Sequence, residues 1–424
     1  MNCGLLGRKL GHSYSPAIHA LLADYSYTLF EKEPEALEEF LKTADFQGLN
    51  VTIPYKKDVV QYCAALSPLA AELGSVNTLV RRPDGSLYGD NTDAWGFEAM
   101  AKRLGVDYAG KKALVLGSGG ASVTVQAVLK HLGCTVVVIS RSGPDNYDNL
   151  DRHADAAVLV NTTPVGMYPN VGSSPVELDK LPNLQAVLDV VYNPARTKLI
   201  LDAEARGIAC ESGLYMLVGQ AVRASELWTN RKISTETLER VWKTVGGSMK
   251  NIVLIGMPGS GKSTVGQQLA DKLCRTFVDA DAEIVKRVGE IPAYFQSHGE
   301  AAFRKVEAEV LADLGKQSGL VIATGGGCVT REENYPSLHQ NGTIFWLRRD
   351  LDKLPVSGRP VSQRDGVQAI YEKRKPLYER FADIVVDNNG EIGETVSQIL
   401  QALASESVGA ATSRPQACAV RLSL

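Results

Sequence analysis

At 424 residues, 44% apolar and 22% charged, the chain is too long for one hydrophobic core and has the composition of a soluble globular protein of two or three domains. Its 45 Lys and Arg against 48 Asp and Glu leave a net charge of -3 with no dense basic stripe, which excludes the electrostatic footprint of a nucleic-acid-binding surface. Small anionic ligands must therefore be held by local groups. The seven cysteines, Cys3, Cys63, Cys134, Cys210, Cys274, Cys328 and Cys418, are odd in number and lack C-x-x-C spacing, so neither a disulfide framework nor a zinc site is indicated. The start, MNCGLLGRKLGHSYSP, has no apolar segment suited to secretion, and no apolar run approaches membrane-spanning length. A cytoplasmic monomer or homodimer is expected, with small-molecule substrates and neither nucleic acid nor membrane as partner.

In chain order, residues up to about Met100 carry strand and helix signals of their own, as in LNVTIPYKKDVVQYC. Four short polar clusters fall here: Ser13 and Ser15 in GHSYSP, Thr52 and Lys56 in NVTIPYKK, Asn77 in SVNTL, and Asp93 in GDNTD. Taken singly they are ordinary. SYSP reads as a helix start with Ser15 as cap and Pro16 first, Lys56 as an exposed strand end, and Asn77 as a turn residue.

The stretch ALVLGSGGASVTVQAVLKHLG, followed by TVVVIS, reads as strand, glycine-rich turn, helix and strand. In Gly117-Ser118-Gly119-Gly120-Ala121-Ser122 the glycines would let the backbone approach a pyrophosphate at a helix N-terminus, although Ser122 occupies the third glycine position of G-x-G-x-x-G. A tight turn in any α/β domain is the alternative. The second strand ends at Arg141, between Ser140 and Ser142, where an NAD site usually carries an acidic residue. An arginine there suits a 2′-phosphate, hence NADP(H), unless it is merely an exposed loop residue.

Gly246-Gly247-Ser248 precede Met249 and mark the major boundary by composition. The strand NIVLI then leads into GMPGSGKS, Gly256 to Ser263, the pattern of a phosphate-binding loop ahead of a helix. Backbone N–H groups around Gly259, Ser260, Gly261 and Thr264 cradle phosphates in such a loop, Lys262 neutralises charge, and Ser263 can ligate Mg²⁺, so ATP and Mg²⁺ are expected. Asp279 and Asp281 in FVDADAEI alternate at a strand end and could project toward that loop, or cap the next helix. Gly325-Gly326-Gly327 follow the strand LVIA as exposed backbone or as a bare turn, and Arg304, Arg359 and Arg374 are too widely spaced to interpret alone. From Ser405 the sequence is small and polar and reads as a tail.

The four clusters, the dinucleotide turn and the later NTTPVGM, VVYNP and GLYMLVGQA, in this order, resemble shikimate dehydrogenase over Met1 to Val245. The resemblance implies that Ser13, Ser15, Thr52, Asn77 and Gln220 bind the substrate's carboxylate and hydroxyls, with Tyr192 nearby and Gly213 beside the cofactor. It makes Lys56 and Asp93 the catalytic pair. This suits the chemistry, because hydride delivered to a ketone leaves an alkoxide that needs a proton and a nearby positive charge.

The Asp-x-Asp, FRKVE, TGGG, GRP and KRKPLY segments resemble shikimate kinase over Lys250 to Ala404. That resemblance implies that Arg304, held by Glu307, clamps the acceptor carboxylate together with Arg374. It further implies that Asp281 orients the acceptor hydroxyl, Asp279 supports Mg²⁺, Arg359 closes from a lid onto ATP, and Gly325 to Gly327 line the acceptor pocket. The two resemblances converge on one metabolite, since the product of the first reaction is the acceptor of the second. The expectation is a bifunctional enzyme that turns 3-dehydroshikimate into shikimate with NADPH and shikimate into shikimate 3-phosphate with ATP. A quinate-accepting dehydrogenase fused to another kinase is one alternative. A non-catalytic metabolite sensor is another, disfavoured because Lys56, Asp93, Lys262 and Asp281 are all present. The expected architecture is α/β: a substrate domain (1–100), a Rossmann-like NADP-binding domain (101–221), helices and linker (222–248), a P-loop kinase domain with a parallel sheet (249–404), and a tail (405–424).

Overall fold

The computed structural model describes residues 1–11, 13–354 and 366–409. The chain divides into two compact units: Met1–Asn251 with Leu311–Ser318 and Glu333–Gly342, and Ile252–Val310 with Gly319–Glu332 and Thr343 onward.

The first unit contains two sheets. One is mixed: β1 (Asn2–Gly7), β2 (Ser26–Glu31), β3 (Gly48–Val51), β4 (Ala65–Leu66), β5 (Thr78–Arg81) and β6 (Leu87–Asp90) lie in the order β2-β1-β3-β5-β6-β4. β1 runs parallel to β2 and β3, while β5 is antiparallel to both β3 and β6. This reversal brings the residues following β3 and β6 and those preceding β5 to one end of the sheet. The other sheet is wholly parallel, β7 (Lys112–Leu116), β8 (Thr135–Ile139), β9 (Val158–Asn161), β10 (Ala186–Asp189) and β11 (Ala209–Ser212), in the order β11-β10-β9-β7-β8. Four of the five β7 residues, ALVL, are buried, as expected of a parallel strand covered on both faces.

Helices Thr92–Arg103 and Leu214–Thr229 cross between the sheets. They touch at backbone distance, because a Cβ on Gly96 would stand 2.4 Å from the Met216 carbonyl oxygen. Phe97, Met100, Val218 and Val222 from this pair join Val115 and Val128 in one continuous core. The sequence boundaries at 100/101 and 221/222 therefore cut through two helices that pack as a unit.

The second unit holds the third sheet: β12 (Asn251–Ile255), β13 (Phe277–Asp279), β14 (Val321–Ala323), β15 (Gly342–Arg348) and β16 (Ile384–Asp387), ordered β13-β14-β12-β15-β16, with most residues of β12 and β15 belonging to this unit. β12 is buried throughout, and its core continues through Val265 and Leu269 of the following helix to Val321 and Phe345.

Three local readings need correction. Gly246-Gly247-Ser248 is the last turn of helix Thr235–Met249, whose buried Val245 and Met249 anchor it, and only Lys250 separates that helix from β12. Ser15 is itself the first residue of helix Ser15–Leu22, with Pro16 second and Tyr14 at the cap position. Helix Ile392–Gly409 runs past Ser405, where a tail was expected to begin. Among the described residues no helix is long and apolar enough to cross a membrane.

Candidate active sites

In the first unit, Thr52 follows β3 and donates its N–H to the Leu6 carbonyl, and the Lys56 carbonyl accepts from Val76 N–H. These bonds fix the backbone from which the Lys56 side chain reaches Asp93, Nζ to Oδ2, at 2.6 Å. Asp93 lies in the first turn of helix Thr92–Arg103, which Asn91 caps through Ala94 N–H. Both side chains remain partly open to solvent, 31% for Lys56 and 21% for Asp93, as a proton-transferring pair facing a substrate must be.

Asn77, just before β5, is 3% exposed, and its Oδ1 accepts from Thr92 N–H at 2.6 Å and from the Thr92 hydroxyl at 3.1 Å. The carboxamide is thereby oriented with Oδ1 inward, and Nδ2 makes no hydrogen bond among the described residues. Gln220 packs over Gly96, one turn beyond Asp93. Ser15 N–H donates to the Ser13 hydroxyl, and the intervening Tyr14 meets Tyr192 edge to face, ring centroids 6.1 Å apart. The structure thus joins Lys56 to Asp93, Asn77 to that helix start, Gln220 to the same helix, and the serine segment to Tyr192.

The dinucleotide turn leaves β7 at Gly117, whose φ of 98° favours glycine, and enters helix Gly120–His131. Ser122, the departure from the glycine pattern, donates its hydroxyl to the Gly117 carbonyl at 2.7 Å and so closes the turn. A Cβ at Gly119 or Gly120 would meet nothing within 4 Å among the described residues, whose packing does not require glycine there. The room those absent side chains leave is at the helix N-terminus, where a pyrophosphate would need backbone approach. Arg141 follows β8, exposed and without an ion pair among the described residues. Gly213 has a packing reason of its own, since a Cβ would stand 2.1 Å from the Val190 carbonyl oxygen.

Sequence reasoning missed a buried cluster beneath this turn. Asp189, at the end of β10, accepts from Asn161 Nδ2 (3.0 Å), Val191 N–H (3.0 Å) and the Thr197 hydroxyl (2.6 Å). Burial pushes its carboxyl up to about 6. Asn161 Oδ1 in turn accepts from the N–H and the hydroxyl of Thr163, and Thr162 bonds the Leu116 carbonyl, so the cluster fixes the NTTP loop beside the turn. An acidic residue ending the apolar strand AVLD, at the carboxyl edge of a parallel sheet, was the available signal.

The second site is a cavity of about 640 Å³ with the phosphate loop at one side and Asp281, Arg304, Glu307, Gly325 to Gly327 and Arg374 among its lining. Lys262, 8% exposed, donates to the Gly256 and Met257 carbonyls at 3.0 Å, which holds it at the centre of the loop. Ser263 Oγ lies 2.5 Å from Asp279 Oδ2. Asp279 also caps helix Ala280–Val288 through Asp281 and Ala282 N–H, so both sequence readings of this aspartate hold. Asp281 belongs to that helix's first turn and not to the strand, contrary to the alternation expected. Its carboxylate opens onto the cavity, and the protein around it, with Asp279 close by, pushes it above the usual range against the pull of Lys262 and Arg304.

Arg304 is paired with Glu307 at 2.7 Å, and its buried Nε has no partner among the described residues. Arg374, 5% exposed, donates to the Gly326 carbonyl at 3.1 Å, an oxygen shared with the Tyr378 hydroxyl, which sequence reasoning also missed. The glycine triplet is a matter of space. A Cβ would lie 2.9 Å from Asp281 Oδ1 at Gly325, 2.6 Å from Pro258 at Gly326 and 2.3 Å from the Arg304 guanidinium at Gly327. Among the described residues no group of three His, Cys, Asp or Glu could hold a metal alone. Ser263 and Asp279 fit Mg²⁺ in its usual manner, in which one or two protein oxygens are completed by phosphate and water. Arg359 lies outside the described residues.

Comparison with known proteins follows the same division. The shikimate dehydrogenase substrate binding domain matches residues 5–79, the shikimate 5'-dehydrogenase C-terminal domain residues 213–241, and shikimate kinase residues 258–404. The chain is 37% identical to shikimate dehydrogenase (NADP(+)) of Clostridium perfringens over 265 residues, which is 57% of this chain and 96% of that protein. It is 35% identical to the Moorella thermoacetica enzyme of the same name over 289 residues, 61% of this chain and 96% of the relative. Among solved structures, the chorismate mutase/shikimate 5-dehydrogenase fusion protein from Clostridium acetobutylicum superposes with a TM-score of 0.55 at 34% identity, covering 57% of this chain and 96% of that one. The Thermus thermophilus shikimate 5-dehydrogenase in complex with NADP(H) and shikimate gives 0.53 at 32% identity, covering 58% and 99%.

Proposed function

The chain belongs to the shikimate dehydrogenase family and carries a shikimate kinase domain after it, and from that premise we propose that it reduces 3-dehydroshikimate to shikimate with NADPH and phosphorylates the product with ATP. What carries this reading is one pairing of sites: a lysine–aspartate pair in the same unit as a dinucleotide turn, and a phosphate loop sharing its cavity with two arginines. A ketone reductase and a kinase for a carboxylated acceptor need those two sets of groups.

In the first reaction NADPH, when bound, supplies the hydride. Lys56 donates its proton to the ketone oxygen as negative charge develops there, and Asp93, 2.6 Å away, aims the ammonium group. Asn77 Nδ2, Gln220 and the Ser13 and Ser15 hydroxyls hold the ring's hydroxyls and carboxylate. Arg141 receives the 2′-phosphate. In the second reaction Arg304 and Arg374 clamp the acceptor carboxylate, a planar anion that suits guanidinium forks. Asp281, on the wall of the cavity that holds the phosphate loop, accepts the proton of the attacking hydroxyl. Lys262 neutralises charge on the phosphoryl group in transit. Mg²⁺, held through Ser263 and Asp279, would supply further charge neutralisation on the triphosphate. The six described cysteines are free thiols, which supports a reducing, cytoplasmic location.

One coupled assay tests the whole reading. With 3-dehydroshikimate, NADPH, ATP and Mg²⁺, mass spectrometry should detect shikimate 3-phosphate, with shikimate as the transient species. Oxidation of NADPH without a phosphorylated product, or inertness toward the ring in both reactions, would remove it.

A further inference from the structure

His19 takes no part in the chemistry above, yet it lies fully buried on helix Ser15–Leu22 at the head of a chain of polar groups that ends in the dehydrogenase site. Its ring stacks on Tyr27 (centroids 4.1 Å apart, planes at 12°) and on Trp228 (5.2 Å, 27°). Nδ1 lies 2.7 Å from the Tyr25 hydroxyl and Nε2 3.0 Å from Asn50 Oδ1. A carboxamide oxygen only accepts, so Nε2 carries the proton and Nδ1 accepts from Tyr25. Burial pushes the imidazole down to about 3, which keeps the ring neutral, and the two hydrogen bonds select the tautomer.

From Asn50 the bonds run inward. Asn50 Oδ1 accepts from His19 and from the Tyr27 hydroxyl (2.8 Å), and Nδ2 donates to Thr78 Oγ1 at 3.2 Å. Thr78 Oγ1 lies 2.9 Å from Thr92 Oγ1 and 3.3 Å from Asn77 Oδ1. The incoming Asn50 N–H occupies a lone pair on Thr78, so the Thr78 proton turns toward the Thr92–Asn77 pair. None of Asn50, Thr78 and Thr92 is more than 4% exposed, so bulk solvent does not offset a wrong orientation.

We infer that His19 is a positioning residue for the reduction: it sets the sense of the Asn50–Thr78–Thr92 hydrogen bonds that hold the Asn77 carboxamide with Nδ2 presented to substrate. The inference rests on the assignment of Asn77 to the substrate proposed above. With an apolar residue at 19, the Asn50 amide loses one of the two donors that orient it. Reversal then faces its oxygen toward Thr78, whose proton is drawn away from Asn77.

Steady-state oxidation of shikimate by NADP⁺ tests this. His19→Leu should raise the KM for shikimate about tenfold, the size of one lost hydrogen bond, and leave the KM for NADP⁺ nearly unchanged. His19→Gln, which keeps an N–H for Asn50, should recover most of the loss. In an Asn77→Ala background the His19→Leu increment should vanish, because the two changes act through one amide. An unchanged KM for shikimate in His19→Leu, or an equal increment in both backgrounds, overturns the inference. Asn77→Ala alone separates the two claims: no change in KM for shikimate refutes the assignment of Asn77 and the inference with it. A rise there, with none in His19→Leu, refutes the inference only. Should His19→Leu not fold, Tyr25→Phe decides, since it deletes only the hydroxyl that donates to Nδ1 and supports the tautomer. A rise of about threefold in KM for shikimate, absent in the Asn77→Ala background, supports the role, and no rise overturns it.

Discussion

Lys56 and Asp93 stand 37 positions apart in sequence and 2.6 Å apart in space, and each is only partly buried. A half-exposed ion pair adds little to stability, so removing it should be read in turnover and not in folding. Lys56→Ala should lower the dehydrogenase kcat by about 10²-fold or more while NADP⁺ binding by calorimetry stays close to native, the size expected for loss of a general acid. Near-normal turnover refutes the role. Arg141, exposed after β8 and without an ion pair among the described residues, makes a separate claim. Arg141→Asp should raise the KM for NADPH far more than that for NADH, because only the former carries the 2′-phosphate. Equal effects on the two cofactors would dissolve the assignment.

The glycine triplet after β14 and the polar ends of β9 and β10 show two ways in which elements make a site. Gly327 is glycine because the Arg304 guanidinium occupies the space of its Cβ. Gly327→Ala should therefore displace that arginine and raise the kinase KM for shikimate by about tenfold or more, with the KM for ATP little changed, since one charged hydrogen-bonded contact is disturbed. A matching rise for ATP would mean that the phosphate loop itself had moved. In the Asn161–Asp189–Thr197 cluster, the folded state raises the Asp189 pKa from 3.8 to about 6. The protonated form is thus favoured on folding, and its stabilisation, complete below about pH 4, is lost as pH rises through 6. Asp189→Asn keeps the shape, offers an N–H to the Thr197 hydroxyl and has no charge to bury. The Tm of this variant relative to native should increase between pH 4.5 and 7.5, and a constant difference would contradict the assignment of that titration.

Two compact units with a site in each predict two independent losses. Lys262→Ala should abolish phosphorylation by about 10²-fold or more and leave NADPH oxidation intact, so that shikimate accumulates in the coupled assay. Mixed with Lys56→Ala, it should restore formation of shikimate 3-phosphate from 3-dehydroshikimate through free shikimate. If the mixture gives no product although each variant keeps its other activity, the two reactions are not separable in this way.

How much of this was readable beforehand depends on distance along the chain. GSGGAS after ALVL and GMPGSGKS after NIVLI were legible because a strand, a turn with defined backbone freedom and a helix are specified by neighbouring residues. The same locality misled at Gly246-Gly247-Ser248, where small residues suggested a linker but the buried Val245 and Met249 carry the helix through. It also misplaced Asp281, whose alternation with Asp279 ends at the cap that Asp279 itself provides. The amino-acid sequence by itself determined the two nucleotide-binding units and, through the order of its motifs, the family. Only the tertiary structure decided that Lys56 meets Asp93, that Arg304 fills the space of a Gly327 side chain, and that His19 is linked by hydrogen bonds to Asn77. These contacts depend on strand register and on helices crossing at backbone distance, and burial gives each polar group a single set of partners that no local pattern encodes.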